Sequence, residues 1–190
     1  MKRKNVEINQ TVVDNFERYR KIKLTPKTIS GQYLPLAVAE THPDCRDGDA
    51  SVHFAEDSEK GRLNVSLNVE RTKSFRFRLF CDDFMRRPCY RFESDGGSHE
   101  NPPSPDCPLS KRSIPTPHFH RYDEEGRNVA YRTTDLERNE SEYLADLDKA
   151  FAMFCAEENI VSQEGFHFRH DLSLFEKNEF CDPLEGVSFP

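Results

Sequence analysis

Between Arg62 and Phe80 the chain alternates apolar and polar residues almost without interruption. Leu63, Val65, Leu67 and Val69 share one parity, and Asn64, Ser66 and Asn68 the other. After the turn Arg71-Thr72-Lys73 the pattern resumes, with Phe75, Phe77 and Leu79 set against Arg76 and Arg78. A repeat of two residues marks an extended strand whose side chains point to opposite faces. Two such runs joined by a short polar turn predict antiparallel neighbours with one wet face. No helix accommodates that period, so this stretch commits the chain to a sheet.

The rest of the sequence extends the same plan. Residues 51–56, 89–93 and 117–122 read as further strands, and Asp123-Glu124-Glu125-Gly126 as a hairpin turn returning the chain through 127–133. Val12, Val13, Phe16 and Tyr19 fall at helical spacing and predict a first helix over 9–21. Asn139 with Glu142 three residues on has capping-box spacing, and Tyr143, Leu144, Leu147, Phe151 and Phe154 then mark one apolar stripe to about residue 159. Residues 43–49 and the proline-rich 94–116 read as loops, and 165–174 as a last strand before the tail. The expected architecture is α+β. A curved antiparallel β-meander (31–138) is backed by one long C-terminal helix (139–159), with an N-terminal helix (1–30) and a C-terminal strand and tail (160–190). At 190 residues these form a single domain.

Composition narrows the function classes. A formal net charge of −7 argues against a protein that coats nucleic acid non-specifically, because such affinity comes from phosphate neutralisation. Any nucleic-acid partner therefore requires a locally basic groove. No apolar run is long enough to span a bilayer and no apolar h-region follows Met1-Lys2-Arg3-Lys4, so the expected setting is the cytoplasm, with no membrane partner. The six cysteines lack any Cys-x-x-Cys pair, which predicts reduced thiols, no structural zinc and no cofactor.

The densest chemistry lies in Pro117-His118-Phe119-His120-Arg121-Tyr122 and, upstream, in Arg91-Phe92-Glu93-Ser94-Asp95 and His99-Glu100-Asn101. On a strand, His118, His120 and Tyr122 share one face. Three kinds of chemistry suit them. A His-x-His strand supplies two ligands to one metal ion, and His118, His120 and Glu124 copy the spacing of half a cupin motif, without its bracketing glycines or a second half. A metal-free phosphodiester-cleaving site needs a base, an acid and a cation, which His118, His120 and Arg91 provide. Binding of RNA without chemistry needs the same donors and a stacking ring. The plain alternative is a solvated strand face.

The order Arg91, Asp95, His99, Asn101, then Pro117-His118-Phe119-His120 and Tyr122, followed by Val129-Ala130-Tyr131 and Met153-Phe154-Cys155, resembles small bacterial TumE-type toxin-like proteins and related bacterial domains. The resemblance spans roughly 51–160, and Glu93 stands where that pattern has Asp unless Asp95 takes the role. It implies an RNA-acting component of a toxin–antitoxin or phage-defence system, a metal-independent ribonuclease with an antitoxin as partner. On that reading His118, His120 and His99 are catalytic; Arg91, Asn101, Tyr122 and Asp95 bind substrate; and there is no metal. The alternative is a non-catalytic interaction subunit that docks on a partner protein or nuclease of a defence complex.

Overall fold

The computed structural model describes residues 7–55, 60–103 and 112–170. Helices α1 (Gln10–Asp14) and α2 (Phe16–Leu24) lead into β1 (Lys27–Ile29), β2 (Tyr33–Val38), β3 (Cys45–Phe54), β4 (Lys60–Asn68), β5 (Phe75–Cys81) and β6 (Tyr90–Glu93). The short pair β7 (His99–Glu100) and β8 (Ser113–Ile114) precedes β9 (His118–Tyr122) and β10 (Asn128–Tyr131). Helices α3 (Thr134–Ala145) and α4 (Leu147–Glu157) and strands β11 (Ile160–Val161) and β12 (His167–His170) complete the described chain. The α+β class expected from the sequence is the observed one: a curled, mainly antiparallel half-barrel sheet with helices at the N-terminus and a helix pair near the C-terminus. Strand order is β10-β9-β6-β5-β4-β3-β1-β11, with β2 and β12 branching from β3. The middle of the proline-rich loop, the end of the expected last strand and the tail lie outside the described residues.

The period-two pattern becomes two faces with opposite character. Residues directly opposite in an antiparallel ladder share a face. Register pairs Val65 with Phe77, Phe77 with Phe92, and Phe92 with Phe119. Onto this apolar row α4 lays Phe151 and Phe154, whose rings lie 5.4 and 5.5 Å from that of Phe77. Phe77, Phe92, Phe119 and Phe154 are fully buried, each contributing roughly 1.5–3 kcal/mol through burial alone. Where β2 crosses β3 the sheet permits no side chain, because a Cβ on Gly48 would fall 2.2 Å from Leu34 Cδ2 and 2.3 Å from the Pro35 carbonyl oxygen.

The other parity builds two polar rows. One runs Asp47, Ser66, Arg76, Glu93, His118, and the next Asp49, Asn64, Arg78, Arg91, His120. Each row crosses β3, β4, β5, β6 and β9 in turn.

The helices depart from the sequence reading in two places. The single helix expected over 139–159 is a pair, because Asp146 leaves the helical region (φ −136, ψ 108) and its side chain accepts from Lys149 N to cap α4. The cap of α3 is Thr133, accepting from Leu136 N, while Asn139 sits inside the helix at a kink (φ −114, ψ 17). The N-terminal helix likewise divides at Asn15, whose φ of −135 and ψ of 40 are not helical. In both regions short polar side chains compete with the helical ladder for backbone partners. The strand expected from Ser51 begins earlier, at Cys45, so most of the loop expected over 43–49 is paired with β4.

The helical and sheet layers meet at a buried charge cluster. Lys27, fully buried, donates from Nζ to the carbonyls of Lys23, Thr25 and Glu158 at 3.0, 2.7 and 2.7 Å. From the first residue of β1 it thus ties the last turn and C-cap of α2 to the residue capping α4. Glu158 is equally buried, yet neither of its carboxylate oxygens has a hydrogen-bond partner. Lys23 Nζ approaches only to 3.7 Å. Burial pushes the Glu158 carboxyl up to about 7 from an ordinary value of 4.5. The folded state therefore holds more protons than the unfolded one between those values, and stability present below pH 4.5 is lost as the pH rises to 7. Glu158→Gln, an isostere of the protonated acid, should stabilise the fold at pH 8 by on the order of 1–3 kcal/mol, read as a higher melting temperature. At pH 5 the gain should shrink. Paired thermal melts at the two pH values check this, and an equal shift at both refutes it.

Candidate functional site

The two polar rows end at β9, and there they acquire a lid. The segment carrying β7 and β8 folds over the strand so that the His99 ring lies 4.8 Å from that of His120 and 6.2 Å from that of His118, both edge-on. At the β9 end of the rows His118 and His120 are only 1% and 3% exposed, whereas Asp49 and Arg76 are open. The lid is fastened to the sheet edge by Asn101. Its Nδ2 donates to the Ala130 carbonyl at 2.8 Å and its Oδ1 accepts from Ala130 N at 2.7 Å, as a neighbouring strand would.

Strand pairing delivers the central groups. Glu93 and His118 are directly opposite on β6 and β9, as are Arg91 and His120. His118 Nε2 and His120 Nε2 lie 2.8 Å apart. Glu93 Oε2 is 3.4 Å from the first row's neighbour His120 Nε2 and 3.9 Å from His118 Nε2. The outer nitrogens are anchored. His118 Nδ1 is 3.1 Å from the Pro115 carbonyl oxygen and His120 Nδ1 is 2.9 Å from Asn128 Oδ1. Because the Pro115 carbonyl can only accept, His118 Nδ1 carries the hydrogen and its Nε2 presents a lone pair towards His120 Nε2. His99 Nε2 lies 3.3 Å from the Asn128 carbonyl oxygen, so Asn128 holds two imidazoles at once.

Electrostatics follow from burial and from these neighbours. Desolvation, reinforced by His120, lowers the His118 pKa to about 4, and the same causes lower that of His99. Both rings are neutral at physiological pH. Burial raises the Glu93 pKa, but the His120 hydrogen bond and the Arg91 charge outweigh it and hold the carboxyl down at about 2. Arg91 Nη2 is 3.3 Å from His120 Nδ1 and 3.5 Å from Nε2, near enough to both that the guanidinium lies across the ring and not along one lone pair. Arg91 Nε is buried without a hydrogen-bond partner. Beside it opens a cleft of about 380 Å³ lined by Arg87, Arg91, His120, Tyr122 and Asn128 among others. A larger cavity, about 690 Å³, lies towards α2 around Tyr19, Lys23 and Tyr131, and none of the three clustered histidines lines it.

The structure thus brings together His118, His120, His99 and Arg91, with Tyr122 at the far wall of the cleft and its backbone N–H donating to the Tyr19 hydroxyl at 2.8 Å. Asn101 is committed to Ala130. Asp95 is exposed, accepts from Gly96 N, and lines a different cleft with Arg71 and Arg76. Glu124, which the cupin spacing singled out, is exposed in the turn after β9, away from Glu93's place beside the imidazoles. Two central residues were not assigned a role from sequence. Glu93 was signalled by its parity with Arg91; Asn128, two residues past the Gly126 turn, had no local signal. Among the described residues Glu93, His118 and His120 form a group whose donor atoms all lie within 4.8 Å of one another, a geometry able to hold a metal ion.

No protein-family model matches the chain, and neither a curated protein nor a solved structure matches it significantly. Function must be argued from the site. No helix among the described residues is long and apolar enough to cross a membrane.

The Asn101 clamp has a direct test. Asn101→Ala removes both bonds to Ala130, so amide hydrogen exchange at Ala130 should accelerate by at least about tenfold while Phe77 and Phe92 amides keep their protection. Unchanged exchange at Ala130 would show that the lid is held elsewhere.

Proposed function

We propose that the protein acts on RNA, gripping the phosphodiester backbone along the polar sheet face and cleaving it at the histidine cluster. The observation that carries this reading is the position of Arg78 and Arg91. They are directly opposite on adjacent strands, a like-charge arrangement that costs stability. Arg78 is partly buried, and its pKa is lowered by desolvation and then by Arg76, with Arg91 also contributing. Its Nη1 donates to Asn64 Oδ1 at 3.0 Å. Arg91 Nε meanwhile is buried and makes no hydrogen bond, its ion-pair partner Glu93 Oε1 standing off at 3.8 Å, beside the cleft that holds His120. A backbone phosphate relieves both problems, since its anionic oxygens match the guanidinium fork. The local cationic row also answers the objection raised by the net charge of −7.

Chemistry at the row's end falls to Glu93, His118 and His120, which meet where a phosphate held by Arg91 would lie. The pattern resemblance to TumE-type proteins supports the same substrate class and suggests a toxin–antitoxin or phage-defence setting, with an antitoxin or defence subunit as protein partner.

Arg91→Ala should weaken binding of single-stranded RNA about tenfold across sequences and reduce the slope of log affinity against log salt by about 1. His120→Ala should abolish cleavage while preserving salt-sensitive binding. Fluorescence anisotropy and gel assays check both. Association that is insensitive to salt and to Arg91, with a copurifying protein in place of RNA, would instead establish a non-catalytic interaction subunit.

A further inference from the structure

His118 Nε2 and His120 Nε2 face each other at 2.8 Å with Glu93 Oε2 beside them, three donor atoms all within 4.8 Å of one another. The outer nitrogens of both rings are held, by the Pro115 carbonyl and by Asn128 Oδ1. Such outer hydrogen bonds are how metal-ligating histidines are held in the correct tautomer and ring orientation. The third group is an ionised carboxylate at 3.4 and 3.9 Å. A first-row ion with ligand bonds of about 2.0–2.2 Å separates adjacent donors by roughly 2.8–3.1 Å when octahedral and roughly 3.3–3.6 Å when tetrahedral. Of the observed separations, 2.8 and 3.4 Å match these distances and 3.9 Å lies just beyond them.

We infer that Glu93 Oε2, His118 Nε2 and His120 Nε2 bind one divalent first-row transition-metal ion, with Asn128 as the positioning residue for His120. The carboxylate offsets half of a 2+ charge, the two imidazoles add neutral donors, and three protein donors leave coordination positions open to water and substrate. Zinc, iron(II) and manganese all suit that donor set. His99 stays outside the ligand set because its Nε2 hydrogen is directed to the Asn128 carbonyl. The guanidinium of Arg91, lying across the His120 ring, sets the outer limit of the site on the cleft side.

This inference deepens the RNA-cleaving reading by replacing a metal-free pair of proton carriers with a Lewis-acid centre beside the phosphate grip. The binding geometry itself needs no RNA, and the metal titrations use none.

Full-length protein stripped with a chelator is titrated with ZnCl₂ by calorimetry and with CoCl₂ by visible spectroscopy. The expected results are one ion per chain, a raised melting temperature, and cobalt d–d bands without a thiolate-to-cobalt charge-transfer band. His120→Ala and Glu93→Gln should each weaken zinc binding by at least about 100-fold, and Asn128→Ala by about 10–100-fold. Asn128→Ala leaves all three ligands in place, so it keeps the test informative if a ligand variant fails to fold. A thiolate charge-transfer band, or affinity unchanged in Glu93→Gln and Asn128→Ala, overturns the inference. RNA cleavage that persists in excess chelator overturns it too while sparing the proposed function; stoichiometric zinc without any RNA cleavage does the reverse.

Discussion

Everything in this molecule depends on the pairing register of β5, β6 and β9. Because side chains alternate with a period of two, a slip of one residue at any of these ladders would turn Phe77, Phe92 or Phe119 to the wet face and send an arginine or histidine under α4. The stacked phenylalanines therefore do more than fill the core. Rings of Phe77 and Phe92 lie 5.8 Å apart and those of Phe92 and Phe119 5.1 Å apart, so the apolar face favours one register strongly over its neighbours. The opposite face receives its geometry as a consequence. Glu93 meets His118, and Arg91 meets His120, because the phenylalanines between them are in place.

That coupling explains how much of the fold and the site was legible in the sequence. The strands from Arg62 to Phe80, and the His118 to Tyr122 strand with its Gly126 turn, are written in local alternation and turn chemistry, which need no tertiary information. The histidine pair was visible for the same reason. Glu93 was half-visible: its parity was known, but which residue would stand opposite it was not, since pairing of β6 with β9 spans the whole proline-rich loop. Asn128 and the lid contacts of His99 depend on long-range placement and left no local trace.

The helices failed differently. An apolar stripe running from Tyr143 to Phe154 reads as one helix, and the choice to cap at Asp146 is made by a single side-chain bond to Lys149 N. Asn101 shows the opposite limit. A polar residue near a cluster of histidines reads as a substrate contact, yet its two side-chain atoms are consumed by the backbone of Ala130. Residue type and proximity in sequence do not reveal whether a donor is already occupied.

That same asparagine carries a consequence for how the molecule behaves as a population. β10 is the sheet's terminal strand, and terminal strands present polar backbone to whatever chain comes near. Asn101 stands in for the missing neighbour at Ala130, and the segment it belongs to also screens the imidazoles through His99. Displacing Asn101 from Ala130 therefore uncovers a strand edge and the imidazoles together. Exposure of the histidines and exposure to self-association are coupled through one side chain, so a substitution that frees Asn101 also leaves β10 open to edge-to-edge pairing.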